Sequence, residues 1–264
     1  RYLRMKRDQP FFIYVPFTAV HTPFYEPDKY VEACRNVSTN RRTFAACLIH
    51  LDEQIGRIVK TLEETGQREN TLIVFFSDNG GQNPSGDDSH RYPDTKATSK
   101  IKGLNTPLRD WKAGTYEGGI RTPAFVNWPG HLKPGKTDAL LSVTDWMATL
   151  PKLAGYEVGP ELNLDGRDIW PILSGRQKNN SERVLYCKGP KQTKVVIHGG
   201  WKLIHLLKSK GFELYHLEDD PTESRDLSDS EPDQLARLKV LLKRLEAADD
   251  DAKPDPKRPN PDPA

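Results

Sequence analysis

Residues 71–81, TLIVFFSDNGG, decide how the rest of the chain is read. The apolar run from Leu72 to Phe76 suits a strand buried on both faces, as strands of a parallel sheet are. It ends abruptly at Ser77, Asp78 and Asn79, followed by two glycines. Open α/β sheets bind ligands at the edge where their strands emerge, which makes Asp78 and Asn79 candidate ligand residues. A plain strand-end turn is the other reading, because Asp-Asn-Gly-Gly is also good turn chemistry.

Upstream, apolar residues Phe44, Leu48, Leu51, Ile55, Ile58 and Leu62 step by four and three, which predicts one face of a helix over 41–65. Gly66 suits its C-terminal stop. FFIYV at 11–15 predicts a buried strand ended by Pro16, so strand, helix and strand come in the order of a βαβ crossover. Downstream, 82–102 is polar and broken by Pro and Gly, a long loop of the kind that is often functional. PAFVNW at 123–128 predicts a strand, and 145–154 a short helix closed by Gly155.

Beyond Gly175 the pattern changes. KVVIH, Gly199-Gly200 and WKLIHLL predict a hairpin with a two-residue turn, and FELYHL at 212–217 a further antiparallel strand. Ser230 with Asp233 reads as a capping box before a last helix striped by Leu235, Leu238, Leu241, Leu242 and Leu245. These signals predict three segments: an α/β portion over 1–175, an antiparallel subdomain with a terminal helix over 176–248, and a disordered Pro- and Asp-rich tail over 249–264.

Composition narrows the function classes. The chain has 264 residues, 29% of them charged, and a net charge of +2 from 39 basic and 37 acidic side chains. That balance gives no global electrostatic reason to expect nucleic acid or a membrane surface as partner. No apolar run approaches the roughly 20 residues of a bilayer span. The chain opens on Arg1 without a signal-like segment, which suggests a processed product or a fragment. Cys34, Cys47 and Cys187 have no metal-ligand spacing, so a reduced or neutral role is expected.

Four islands could support chemistry. His21, pinned in a loop by Pro23 after the first strand, is a candidate acid–base group, or else a structural histidine. Asp78 and Asn79 offer oxygen donors that suit a hard cation, Ca²⁺ or Mg²⁺, better than Zn²⁺, and other carboxylates would have to complete the site. PLRDWKAGTYEGGIRTP, residues 107–123, joins Lys112 to an aromatic pair and to Gly118-Gly119. Its ammonium could hold an anionic oxygen, the alternative being a solvated basic turn. Asp87, Asp88, His90 and Asp94 have irregular spacing that favours a solvated loop over a ligand set, and Asp165, Arg167 and Asp168 read as a turn with local ion pairs.

Together, FFIYVPFTAVHTPF, FFSDNGG, PLRDWKAGTYEGGIRTPAFVNWPG, SVTDWMATLPKLAG and LDGRDIWPILSG occur in the order seen in type I sulfatases. They most resemble the arylsulfatase B-like branch, and the resemblance runs from about Pro10 to Leu245, with GGWKLIHL and FELYHLEDDPTESRDLS similar to that family's C-terminal antiparallel subdomain. The likeness implies an alkaline-phosphatase-like α/β core, here partial, that hydrolyses sulfate esters. It implies that Asp78 and Asn79 are two Ca²⁺ ligands (Mg²⁺ being less expected), that Lys112 holds a sulfate oxygen, and that His21 contacts the sulfate and helps protonate the leaving alcohol. A sulfated sugar or polysaccharide is the implied substrate, and a periplasmic or secreted parent the implied location.

One departure is large. The family's nucleophile is a formylglycine made from Cys or Ser in a Cys/Ser-x-Pro/Ala-x-Arg motif, whereas the cysteines here read CRNVS, CLIHL and CKGPK. The family's paired N-terminal aspartates are missing too. The chain is therefore expected to be the C-terminal part of a sulfatase, inactive alone. A phosphatase or phosphodiesterase of the same superfamily, and a non-catalytic binder of sulfated glycans, are the alternative readings.

Overall fold

The computed structural model describes residues 1–5, 8–83, 103–189, 193–208 and 211–250. Contacts group the chain into two compact units. The first comprises residues 1–106, 110–112 and 118–136, and the second 107–109, 113–117 and 137–264. The divide near residue 136 precedes residue 175, where composition and turn signals change, so the segment 137–175 packs with the second unit.

In the first unit, helix α1 (Asp28–Ala33) packs on the long helix α2 (Thr39–Glu64). Tyr30, Cys34 and Ala46 form a small buried cluster between them. Tyr30 also stacks on His50, ring centroids 4.2 Å apart, and His50 Nδ1 lies 2.7 Å from Glu26. The predicted helix is present with its predicted stop: Gly66 takes φ +67°, Gly66 N–H donates to Glu63 O and Gln67 N–H to Leu62 O. Those two bonds make a Schellman ending. The apolar stripe is less uniform than its spacing suggests. Leu62 is buried, but Leu48 is 44% exposed, and Ala46 and Cys47 are buried in its stead. Burial pushes the Cys47 thiol up to about 12.

TLIVFF does form a strand, β1 (Ile73–Phe76), but its sheet differs from expectation. It pairs antiparallel with β2 (Ala124–Asn127), with Phe75 stacked on Phe125 at 4.8 Å. FFIYV forms no strand. Residues 11–15 belong to no regular element, with Phe12 76% and Tyr14 71% exposed. A strand exists only when a neighbour completes its hydrogen-bond ladder. Among the described residues none pairs with 11–15, so the parallel crossover is not formed.

The second unit contains helix α4 (Asp145–Leu153), the single turn α5 (Trp170–Leu173) and a four-stranded antiparallel sheet in the order β3–β4–β5–β6. The strands are β3 (Val184–Lys188), β4 (Lys194–His198), β5 (Trp201–Leu206) and β6 (Gly211–His216). The hairpin turn is as read from the sequence: Gly199 and Gly200 sit at φ +57° and +78°, which matches a type I′ turn open to glycine at both positions. β3 was not foreseen.

After a short turn helix α3 (Glu117–Ile120) early in the chain, the last helix is α6 (Pro232–Asp250). Its Leu238 and Leu242 close over Val196, Leu203 and Leu214, and Leu235, Leu241 and Leu245 flank them. The capping box is not formed. The Ser230 hydroxyl instead donates back to Leu227 O, and Pro232 occupies the first helical position, where its missing N–H leaves no helical bond unmade. Asp168 pairs with Lys152 at 3.0 Å, and Arg167 contributes its backbone N–H to Asp145, so the ion pair at this turn reaches across the unit. The expected tail 249–264 starts too early, because Asp249 and Asp250 still belong to α6 and Asp249 pairs with Lys188. Residues 251–264 and the cluster Asp87, Asp88, His90 and Asp94 lie outside the described residues.

Candidate functional site

The segment after β1 is anchored to the segment that contains Lys112. Ser77 N–H extends the β1–β2 ladder by donating to Pro123 O at 3.1 Å. The chain then turns through Asp78 and Asn79, and Gly80 N–H donates to Gly119 O at 3.0 Å. This approach requires a glycine. A Cβ on Gly80 would lie 1.8 Å from Gly118 O, which is a backbone atom. One residue further, Gly81 O accepts Lys112 N–H at 2.8 Å. Three backbone hydrogen bonds, counted from Ser77 to Lys112, thus bind the Asp-Asn loop to the segment 112–123, although more than thirty residues separate Gly81 from Lys112 in sequence.

Asp78 is exposed, Asn79 and Lys112 are half-buried. Asn79 Nδ2 donates to Gly80 O at 2.9 Å, which commits the amide nitrogen and leaves Oδ1 as the acceptor face. Lys112 sits between two left-handed residues, Asp110 at φ +70° and Ala113 at φ +67°. Asp tolerates that region, but for Ala it costs on the order of 1–3 kcal/mol. Such strain persists only where surrounding bonds over-determine the loop, and it clusters at functional sites.

His21 is exposed, with Nδ1 2.7 Å from Thr22 O and 3.4 Å from the Thr22 hydroxyl. Because the carbonyl can only accept, Nδ1 holds a proton there and Nε2 is the nitrogen available to a ligand. Among the described residues no hydrogen bond or ion pair joins His21 to Asp78, Asn79 or Lys112. The structure therefore brings Asp78-Asn79 and Lys112 together and leaves His21 in its own loop.

Two features escaped the sequence reading. The first is Asn105, whose side chain bonds to Gly81 and to Asp110. The second is a buried ionic cluster in the second unit. Lys202 Nζ, fully buried, lies 2.9 Å from Glu117 Oε1 and 2.7 Å from Glu223 Oε1. Burial holds the Glu223 carboxyl above its usual value, with Lys202 opposing it. Next to it, Arg109 donates to Tyr215 Oη and to Glu223 O, and stacks over Tyr116 at 3.8 Å. Tyr116 and Tyr215 both donate to Glu213. Burial, then the bond to that carboxylate, pushes both phenols well above the ordinary range. These residues lie about a hundred positions apart, so no local pattern could have shown them.

The donors present suit a hard cation in kind. An exposed carboxylate and a carboxamide oxygen, adjacent on one turn, are oxygen ligands of the sort Ca²⁺ takes. They are fewer than the roughly six to eight it needs, and among the described residues no group of three or more His, Cys, Asp or Glu could hold a metal. The set is a partial one.

Residues 1–156 match the family model described as Sulfatase, and 110–250 match N-sulphoglucosamine sulphohydrolase, C-terminal. The chain belongs to the sulfatase family. Arylsulfatase J of Mus musculus is 35% identical over 73% of this chain and 30% of its own length. The N-acetylgalactosamine-6-O-sulfatase of Bacteroides thetaiotaomicron is 27% identical over 90% of this chain and 48% of its own. The crystal structure of Ps i-CgsB in complex with k-i-k-neocarrahexaose superposes with a TM-score of 0.77 at 27% identity, covering 92% of this chain and 51% of that one. The sulfatase chain thus spans between about a third and a half of the proteins it matches. Its fold is the α/β, alkaline-phosphatase-like fold of these sulfatases.

Proposed function

We propose that this chain is part of an enzyme that hydrolyses sulfate esters of sugars or polysaccharides, with Asp78, Asn79, Lys112 and His21 around the sulfate. Family membership supports the reaction class. The carbohydrate in the Ps i-CgsB complex and the sugar named for the Bacteroides relative support the substrate class. The single observation behind the site is the 2.8 Å bond from Lys112 N–H to Gly81 O, which ties the ammonium's loop to the Asp78-Asn79 turn.

In this reading the Asp78 carboxylate and the Asn79 amide oxygen are two of the ligands of a Ca²⁺ ion, in preference to Mg²⁺. When bound, the cation would draw negative charge from the sulfate oxygens. Lys112 binds one sulfate oxygen as a compact point charge. Charge grows on the sulfuryl and leaving oxygens as the ester bond breaks, and a preorganised ammonium there stabilises it. His21, as imidazolium, keeps one proton on Nδ1 toward Thr22 O and delivers the other from Nε2 to the departing alcohol. The nucleophile is assigned to a formylglycine outside these 264 residues, because Cys34, Cys47 and Cys187 lack its motif. Cys34 and Cys47 are also buried. Residues 1–175 would then be a share of the catalytic domain and 176–248 a C-terminal subdomain, in a periplasmic or secreted protein. No helix among the described residues is long and apolar enough to cross a membrane.

The test is Lys112→Ala in the full-length protein. Turnover of an aryl sulfate should fall by about 10²–10³ in kcat/KM, the scale for removing one donor to a developing oxyanion. An unchanged rate removes Lys112 from the site.

A further inference from the structure

We infer that Asn105 is a positioning residue for the sulfate site, locking the Asp78-Asn79 turn to the Lys112 loop through its carboxamide. The inference rests on the sulfatase reading above and adds a residue to which nothing in that reading gives a role.

The geometry is specific to a carboxamide. Gly81 N–H donates to Asn105 Oδ1 at 2.9 Å, and Asn105 Nδ2 donates to Gly81 O at 3.1 Å, so the side chain pairs with Gly81 as a neighbouring strand would. The second Nδ2 hydrogen goes to Asp110 O at 3.0 Å. Gly81 O also receives Lys112 N–H. One amide thereby bridges Gly81, two residues after Asn79, and Asp110, two before Lys112.

The orientation of the amide follows from its partners. Reversed, it would set its nitrogen against an N–H and its oxygen against two carbonyls. Asp110 is held at φ +70° at the point where its carbonyl accepts this bond. Once released, that residue is free to return to the more populated negative φ, which would swing Trp111 and Lys112. Among the described residues no hydrogen bond joins Asn105 to the side chains of Asp78, Asn79 or Lys112, so its effect passes through the placement of the Lys112 loop against the Asp78-Asn79 turn. Neighbouring backbone is close as well: a Cβ on Gly81 would meet Asn105 Oδ1 at 2.9 Å and Gly103 Cα at 3.0 Å.

The test is a double-mutant cycle in the full-length protein, read as kcat/KM on an aryl sulfate. Asn105→Ala should lower it by roughly 10–100-fold, as ångström-scale misplacement of a catalytic group does. In a Lys112→Ala background the same change should cost less than about threefold, because coupled residues are non-additive. Asn105→Asp keeps the shape and the acceptor for Gly81 N–H but loses both donors. It should follow Asn105→Ala, and it serves if the alanine variant does not fold. Hydrogen exchange at residues 110–113 should quicken in either variant. Equal losses in both backgrounds would overturn the inference in favour of a general structural role, and so would unchanged turnover with Asn105→Asp while Lys112→Ala is impaired. If Lys112→Ala itself loses nothing, the sulfate-site reading falls and the inference falls with it.

Discussion

Replacing Lys202 by Met is the sharpest stability experiment. The ammonium is fully buried and shared, 2.9 Å from Glu117 and 2.7 Å from Glu223, so its loss leaves two buried carboxylates without their cation. Breaking one buried ion pair costs about 3–5 kcal/mol, since the abandoned charge remains desolvated. Two carboxylates depend on this one, which places the variant at the upper end of that range. In a unit of this size the loss corresponds to a melting temperature lower by on the order of 10 °C.

The deficit should also depend on pH. Burial raises the Glu223 carboxyl in the folded state, and losing Lys202 removes what opposes that rise. A carboxyl with a raised folded pKa contributes stability that is complete below its unfolded value, about 4.3, and is lost as pH climbs through the folded value. The variant should therefore be weakest near neutrality and approach the parent toward about pH 4–5. Urea unfolding followed by circular dichroism at several pH values measures this. Adding Glu117→Gln and Glu223→Gln should restore much of the stability, because neutral amides remove the stranded charge. Lys29→Met, which breaks the exposed 3.5 Å pair with Glu53, is the control that should leave the midpoint in place. A deficit under about 1 kcal/mol at pH 7, in the range of a surface pair, would refute the reasoning. So would a deficit that deepens in acid.

Two further outcomes concern the first unit. Gly80→Ala places a Cβ 1.8 Å from Gly118 O, and the shift needed should cost about 1–3 kcal/mol and lower turnover. A variant with the parent's melting temperature and rate would show that the two loops are not held as close as described. Asp78→Ala in the full-length protein should raise the Ca²⁺ needed for half-maximal activity by about tenfold or more, given that even indirect partners of a metal shift affinity by 10–100-fold. Superimposable chelator titrations of the two proteins would count against ligation.

What could be read in advance follows the range of the interactions. The helix over 39–64, the Gly199-Gly200 hairpin and the leucine stripe of the last helix are periodic or local, and each left a repeating signal in consecutive residues. FFIYV has as much apolar character as IVFF, yet only IVFF forms a strand, because pairing depends on a neighbour far away in sequence. β3 was missed because VLYC is a short apolar run between charged residues, and its ladder to Lys194–His198 supplies what its own sequence lacks. Asp78, Asn79 and Lys112 stood out by residue type at strand and loop ends. Asn105 did not, since a single asparagine before Thr-Pro looks like turn material until its two bonds to the distant Gly81 backbone and its bond to Asp110 O are seen. The Glu117–Lys202–Glu223 cluster was equally silent, its members being 85 and 106 residues apart.

An experimental structure of the full-length protein with calcium and a slowly hydrolysed sulfate ester tests the central claim most directly. The account predicts the cation about 2.3–2.6 Å from Asp78 and Asn79 oxygens. It predicts a sulfate oxygen about 2.7–3.2 Å from Lys112 Nζ, with His21 Nε2 facing the ester oxygen. A sulfate seated elsewhere, with Lys112 and His21 turned to solvent, would contradict it.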